Sequence, residues 1–160
     1  MKITPRLAEM LTAQIKSELS AHQNYMAISF WFKRQSLDGW GDLFREQAME
    51  EAQHAMKIIQ FLLDTDVEFD LPPIPGASTQ FADASAAVAA AQASEAKVTE
   101  EFKAMARAAQ EENDAVVHQF LQWFLEEQVE EEAKMAKLQD LVQSGINLFQ
   151  AEPLLAGLEG

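Results

Sequence analysis

Four stretches of this chain each carry an apolar stripe at helical spacing, and each stripe is broken near its middle by an ionisable or amide side chain. The first runs Leu7, Leu11, Gln14, Glu18, His22, Tyr25, Phe32, and the second Phe44, Ala48, Glu51, Ala55, Ile58, Leu62. The third is Ala84, Val88, Ala91, Glu95, Val98, Phe102, Met105, Ala109; the fourth is Val117, Leu121, Phe124, Gln128, Glu131, Met135, Leu138, Val142. Steps of three and four residues put each set on one helix face. A carboxylate on a core-facing stripe is costly unless paired or bound to a cation. Four helices with one each at mid-length predict an all-α four-helix bundle around a shared polar centre.

The connections refine this picture. Thr4 before Pro5 reads as a cap and first helical position. The expected helices cover about 5–35, 40–66, 84–112 and 114–144, with a short fifth at about 147–155, all in a single domain. A short turn at 36–41 makes the first two helices antiparallel neighbours. The segment 67–83 contains Leu71-Pro72-Pro73-Ile74-Pro75 and cannot be helical. Extended at ~3.3 Å per residue, it reaches ~50 Å, enough for an end-to-end crossover. The second and third helices can then run parallel.

Composition excludes several classes. The 160 residues suit one good core, and 48% are apolar. The formal charge of −14 argues against a nucleic-acid partner and favours cations. Zero cysteines remove disulfides and Cys-ligated metal sites. Neither a signal core nor a membrane-length apolar run is found, so a soluble cytoplasmic protein without a membrane partner is expected.

Glu51 and His54 form a Glu-x-x-His pair, three apart and able to reach one ion. Carboxylate oxygen with imidazole nitrogen suits iron, manganese or zinc. On its own the pair reads better as a surface ion pair; its register with Phe44, Ala48, Ile58 and Leu62 turns it inward. Glu18 adds a carboxylate from the first helix. Glu95 interrupts a stripe of Ala, Val, Phe and Met with no structural excuse. Tyr25 is either a donor to such a centre or a core phenol with a satisfied hydroxyl. His22 reads better as a peripheral polar residue than as a ligand. In the acidic run from Glu126 to Glu132 only Gln128 and Glu131 share the core stripe; the others read as a solvated face. Two divalent cations would offset the mutual repulsion of these acids, with Glu51 as bridge, and two Fe(II) ions held there could pass electrons to dioxygen.

Residues 120–132, FLQWFLEEQVEEE, closely resemble the fourth-helix signature of prokaryotic non-haem ferritins. Residues 45–54, REQAMEEAQH, resemble their second-helix signature, and Glu18 with Tyr25 fits the first-helix pattern. The resemblance implies that Glu18, Glu51 and His54 hold one iron and that Glu51, Glu95 and Glu131 hold the other, with Gln128 close by. It implies a third iron site from Glu50, Glu127, Glu130 and Glu131. It further implies a ferroxidase using dioxygen or peroxide, and a shell of twenty-four subunits storing ferric mineral. Asp114 and His118 fall where pores form in that family, although they read equally as a helix cap and a surface histidine. Bacterioferritins have a second Glu-x-x-His and a haem-binding Met after the bridging Glu. This chain has Gln128-Val129-Glu130-Glu131 and Ala52 there, so no haem is expected. The alternative reading is a ferritin-like di-iron oxidase or peroxidase that does not store iron.

Overall fold

The computed structural model describes residues 1–158. Four long helices account for most of it: α1 (Pro5–Arg34), α2 (Asp38–Asp64), α3 (Ala84–Glu111) and α4 (Ala115–Gln143). A short α5 (Leu148–Ala151) is continued by a 3-10 segment, Glu152–Leu158. Side chains cap three of the long helices. Thr4 accepts from the Leu7 amide, Asp83 from Ala86, and Asp114 from Val116 and Val117. None of these helices is long and apolar enough to cross a membrane.

Two separate apolar clusters fix the topology. One joins the C-terminal half of α1 (Tyr25, Phe32) to the N-terminal halves of α2 (Trp40, Phe44) and α3 (Val88), and to the C-terminal half of α4 (Met135, Leu138). The other joins the opposite halves, with Leu11, Ile58, Phe102 and Leu121 among its members. It follows that α1 is antiparallel to α2, α3 is antiparallel to α4, and α2 runs parallel to α3. The chain from Val67 to Asp83 therefore travels the length of the bundle. Gln23 holds this crossover by donating to the Pro75 carbonyl, and Trp31 meets Phe81 edge-on. The long-crossover bundle expected from the four stripes is the fold observed.

The turns differ in detail from the sequence reading. The α1–α2 turn is tighter than 36–41, because Gly39 and Gly41 belong to α2. Ser36 takes the left-handed conformation there, with φ 60°. Gly39 lies against the C-terminal segment: a Cβ on it would lie 1.8 Å from Glu152 Oε2, so the Glu152 side chain would have to turn aside. Trp40 Nε1 donates to the Leu148 carbonyl at 3.0 Å in the same contact. The C-terminal helix is α-helical only over Leu148–Ala151 and then tightens, as Pro153 brings no amide hydrogen to the ladder.

Candidate metal centre

A polar layer separates the two apolar clusters. Glu18, Glu51, His54, Glu95, Gln128 and Glu131 are all buried, although each is polar. They occupy mid-helix positions, where the stripe faces inward. Every one of the four long helices contributes at least one.

Two ligand clusters share one residue. Atoms of Glu18, Glu51 and His54 lie within 4.8 Å of one another, as do those of Glu51, Glu95 and Glu131. Glu51 is thus placed to bridge. In the first cluster, His54 Nδ1 is 3.3 Å from Glu51 Oε2 and 3.7 Å from Glu18 Oε2. These three atoms are buried and have no hydrogen-bond partner. Unsatisfied buried polar atoms are rare in folded proteins. Three that converge from two helices, two oxygens and one imidazole nitrogen, form a donor set that fits a divalent cation such as iron, manganese or zinc.

Five other carboxylate oxygens of the layer are held by neutral donors. Gln14 Nε2 donates to Glu18 Oε1 at 3.3 Å, and Gln47 Nε2 donates to Glu51 Oε1 at 3.3 Å. Gln47 Nε2 also donates to Glu131 Oε2 at 2.5 Å. Glu95 accepts from Tyr25 at Oε1 and from Gln128 Nε2 at Oε2, the latter at 3.0 Å. Thr99 supports this corner, donating to Glu132 and accepting from Gln128. Holding ligands by outer hydrogen bonds fixes their rotamers before a cation arrives.

Burial shapes the protonation of the layer. Desolvation pushes the Glu51 carboxyl up to about 7, and burial together with the Glu51 charge pushes Glu95 up to about 8. Burial raises Glu131 to about 8, against the pull of Lys134. Burial works to lower His54, but the facing Glu18 and Glu51 carboxylates outweigh it and raise the imidazole to about 10. The Tyr25 phenol is raised well above its usual value by burial and by Glu95 and Glu51. A cation would displace these protons, so binding is linked to proton release.

The other candidate residues sit elsewhere. Glu50, Glu127 and Glu130 line a groove of about 690 Å³ that also reaches His54 and Glu131. They are less buried and form no third cluster of comparable tightness among the described residues. His22 hydrogen-bonds the Ala48 carbonyl through Nδ1 at 2.6 Å, tying α1 to the α2 backbone beside the centre. Asp114 and His118 line a shallow hollow at the α3–α4 turn, where Asp114 caps α4.

Sequence reasoning missed Gln47, Thr99 and Lys134. Gln47 lies one turn before Glu51, and Lys134 three residues after Glu131, so the helical register held the signal. Amide and ammonium groups at such positions also read as ordinary surface polarity.

Residues 8–144 match the ferritin-like domain family. The chain is a member of the ferritin family. It is 40% identical to a ferritin, BfrB, of Mycolicibacterium smegmatis over 148 residues, 92% of this chain and 82% of that one. It is 33% identical to a bacterial non-heme ferritin of Staphylococcus haemolyticus over 127 residues, covering 79% and 76%. An open pore ferritin from the archaeon Archaeoglobus fulgidus superposes with a TM-score of 0.91 at 27% identity, covering 98% of this chain and 96% of the other. These likenesses to bacterial and archaeal ferritins agree with the signatures in α2 and α4.

Proposed function

We propose that this ferritin stores iron, and that the polar layer is a ferroxidase centre taking two Fe(II) ions per chain as substrate. The observation that carries the reading is the convergence of Glu18 Oε2, Glu51 Oε2 and His54 Nδ1, buried and unpartnered, on one side of a bridging Glu51. Glu18, Glu51 and His54 would hold one ion and Glu51, Glu95 and Glu131 the other. Each Fe(II) gives up one electron. The pair together reduces dioxygen, with two protons, to the level of hydrogen peroxide; peroxide can replace dioxygen as oxidant.

The protein's own groups have defined parts. Gln14 and Gln47 keep Glu18 and Glu51 facing the ions, while Tyr25 and Gln128 hold Glu95. The apolar clusters above and below keep bulk water from the layer. The groove lined by Glu50, Glu127 and Glu130 gives Fe(III) a carboxylate-lined exit and, with Glu131, a third iron position.

Storage requires a closed shell of many copies, twenty-four by the family resemblance, in the cytoplasm. Support comes from large apolar side chains left on the subunit surface, among them Phe30, Leu71, Val129 and Phe149, which further copies of the chain could cover. The test is aerobic iron loading followed by size-exclusion chromatography with iron analysis. The expected product is a large assembly holding far more iron than the centres alone can bind. A small oligomer that stops at about two irons per chain means an oxidase without storage.

A further inference from the structure

The two cation positions have parallel supports with one difference. Each has a buried glutamine one turn before the carboxylate it serves: Gln14 for Glu18 and Gln47 for Glu51. Only Gln47 is itself held by a cation. Lys134 Nζ donates to Gln47 Oε1 at 3.0 Å. Lysine has donors and no acceptor, so it can engage only the oxygen edge of the amide. The NH2 edge is thereby turned to Glu131 Oε2 and Glu51 Oε1. Lys134 is half-buried and follows Glu131 by three residues on α4, on the same face. Lys57, which lines the same groove, instead lies 3.4 Å over the Trp123 ring.

We propose that Lys134 sets the difference between the two cation positions: through Gln47 it orients Glu131 and Glu51, and its charge makes the Glu51–Glu95–Glu131 position the weaker one. The inference rests on the reading that the centre binds a pair of divalent cations. A fixed ammonium one amide away from a divalent ion repels it with an energy exceeding that of one neutral hydrogen bond, even at an effective dielectric constant of ~20. The charge therefore outweighs the orienting bond. The consequence is ordered loading. The Glu18–Glu51–His54 position fills first, and the ion beside Lys134 is the readier to leave towards the groove that Lys134 also lines.

The test is calorimetric titration of the metal-free assembly with Zn(II), which binds without oxidation. The parent should show two steps of unequal affinity. K134M and K134Q both remove the charge, and the glutamine keeps a donor. Both should tighten the weaker step by about tenfold or more and leave the tighter one within about twofold. K134R should restore the parental gap. Q47L keeps the ammonium but loses the orienting amide, and should weaken the second step. If K134M and K134Q leave the gap unchanged, or shift both steps equally, Lys134 does not set it. A parent that binds no pair of Zn(II) ions overturns the two-cation reading itself, and this inference with it.

Discussion

Tyr25 hydroxyl donates to Glu95 Oε1 across the bundle, joining α1 to α3 in the layer that separates the two apolar clusters. The contact satisfies a phenol that would otherwise be buried without a partner, and it fixes one oxygen of a candidate ligand of the Glu51–Glu95–Glu131 position. Tyr25→Phe leaves the ring packed on Phe44 but removes the donor. The expected result is a loss of about 1 kcal/mol in the metal-free protein, read from denaturant midpoints, together with weaker Zn(II) binding. Unchanged Zn(II) affinity would make Tyr25 a core residue only.

Glu51 belongs to both clusters, and Glu95 is the one candidate ligand from α3 among the described residues. Glu51→Ala and Glu95→Ala should each slow rapid Fe(II) oxidation by about a hundredfold or more, with circular dichroism unchanged. Stopped-flow absorbance after mixing with oxygenated buffer gives the rate. Either variant working at the parental rate would mean that the chemistry lies elsewhere.

The raised carboxylates set the pH dependence of the metal-free protein. Glu51 rises to about 7, and Glu95 and Glu131 to about 8, so the folded chain binds these protons more tightly than the unfolded chain does. Their contribution is fully present below the ordinary carboxylate range and is lost as pH rises through 7 to 8. His54, raised to about 10, acts in the same direction at higher pH. The melting temperature of the metal-free protein should therefore fall from pH 6 to pH 9. The fall should be shallower in Glu95→Gln, which cannot ionise, and Zn(II) should offset it in the parent. A flat or rising profile in the parent would contradict the assignment.

His22 ties the two helices that form the first cluster, bonding the Ala48 carbonyl one turn from both Glu18 and Glu51. His22→Ala should cost about 1 kcal/mol, or ~2–4 °C in melting temperature for a chain of this size. It should not abolish Fe(II) oxidation, as His22 is outside both clusters. Thermal melts and stopped-flow rates on one preparation separate the two effects.

Much of the fold was legible because the stripes carry it. Leu11, Ile58, Phe102 and Leu121 each belong to a run of apolar residues at helical spacing on its own helix, and burial leaves few other arrangements. Pro72, Pro73 and Pro75 marked the crossover, since no helix passes through them. Glu95 stood out because its neighbours on the stripe are apolar. Turn detail was less legible at Ser36, which takes positive φ where glycine is favoured because the flanking helices dictate the chain's path; Asp66 and Asn113 do so as residue types that tolerate this conformation. The Lys134–Gln47 link joins residues on different helices, and nothing local to either announces the other.

The most direct test of the central claim is rapid mixing of the metal-free protein, titrated anaerobically with Fe(II), against oxygenated buffer. The amplitude of the fast absorbance rise is followed as iron increases. The account predicts a rise that grows in proportion and saturates at about two irons per chain, as expected for a di-iron centre within a helix bundle. A fast phase that never saturates, or none at all, would show that the buried carboxylates and His54 do not form a ferroxidase centre.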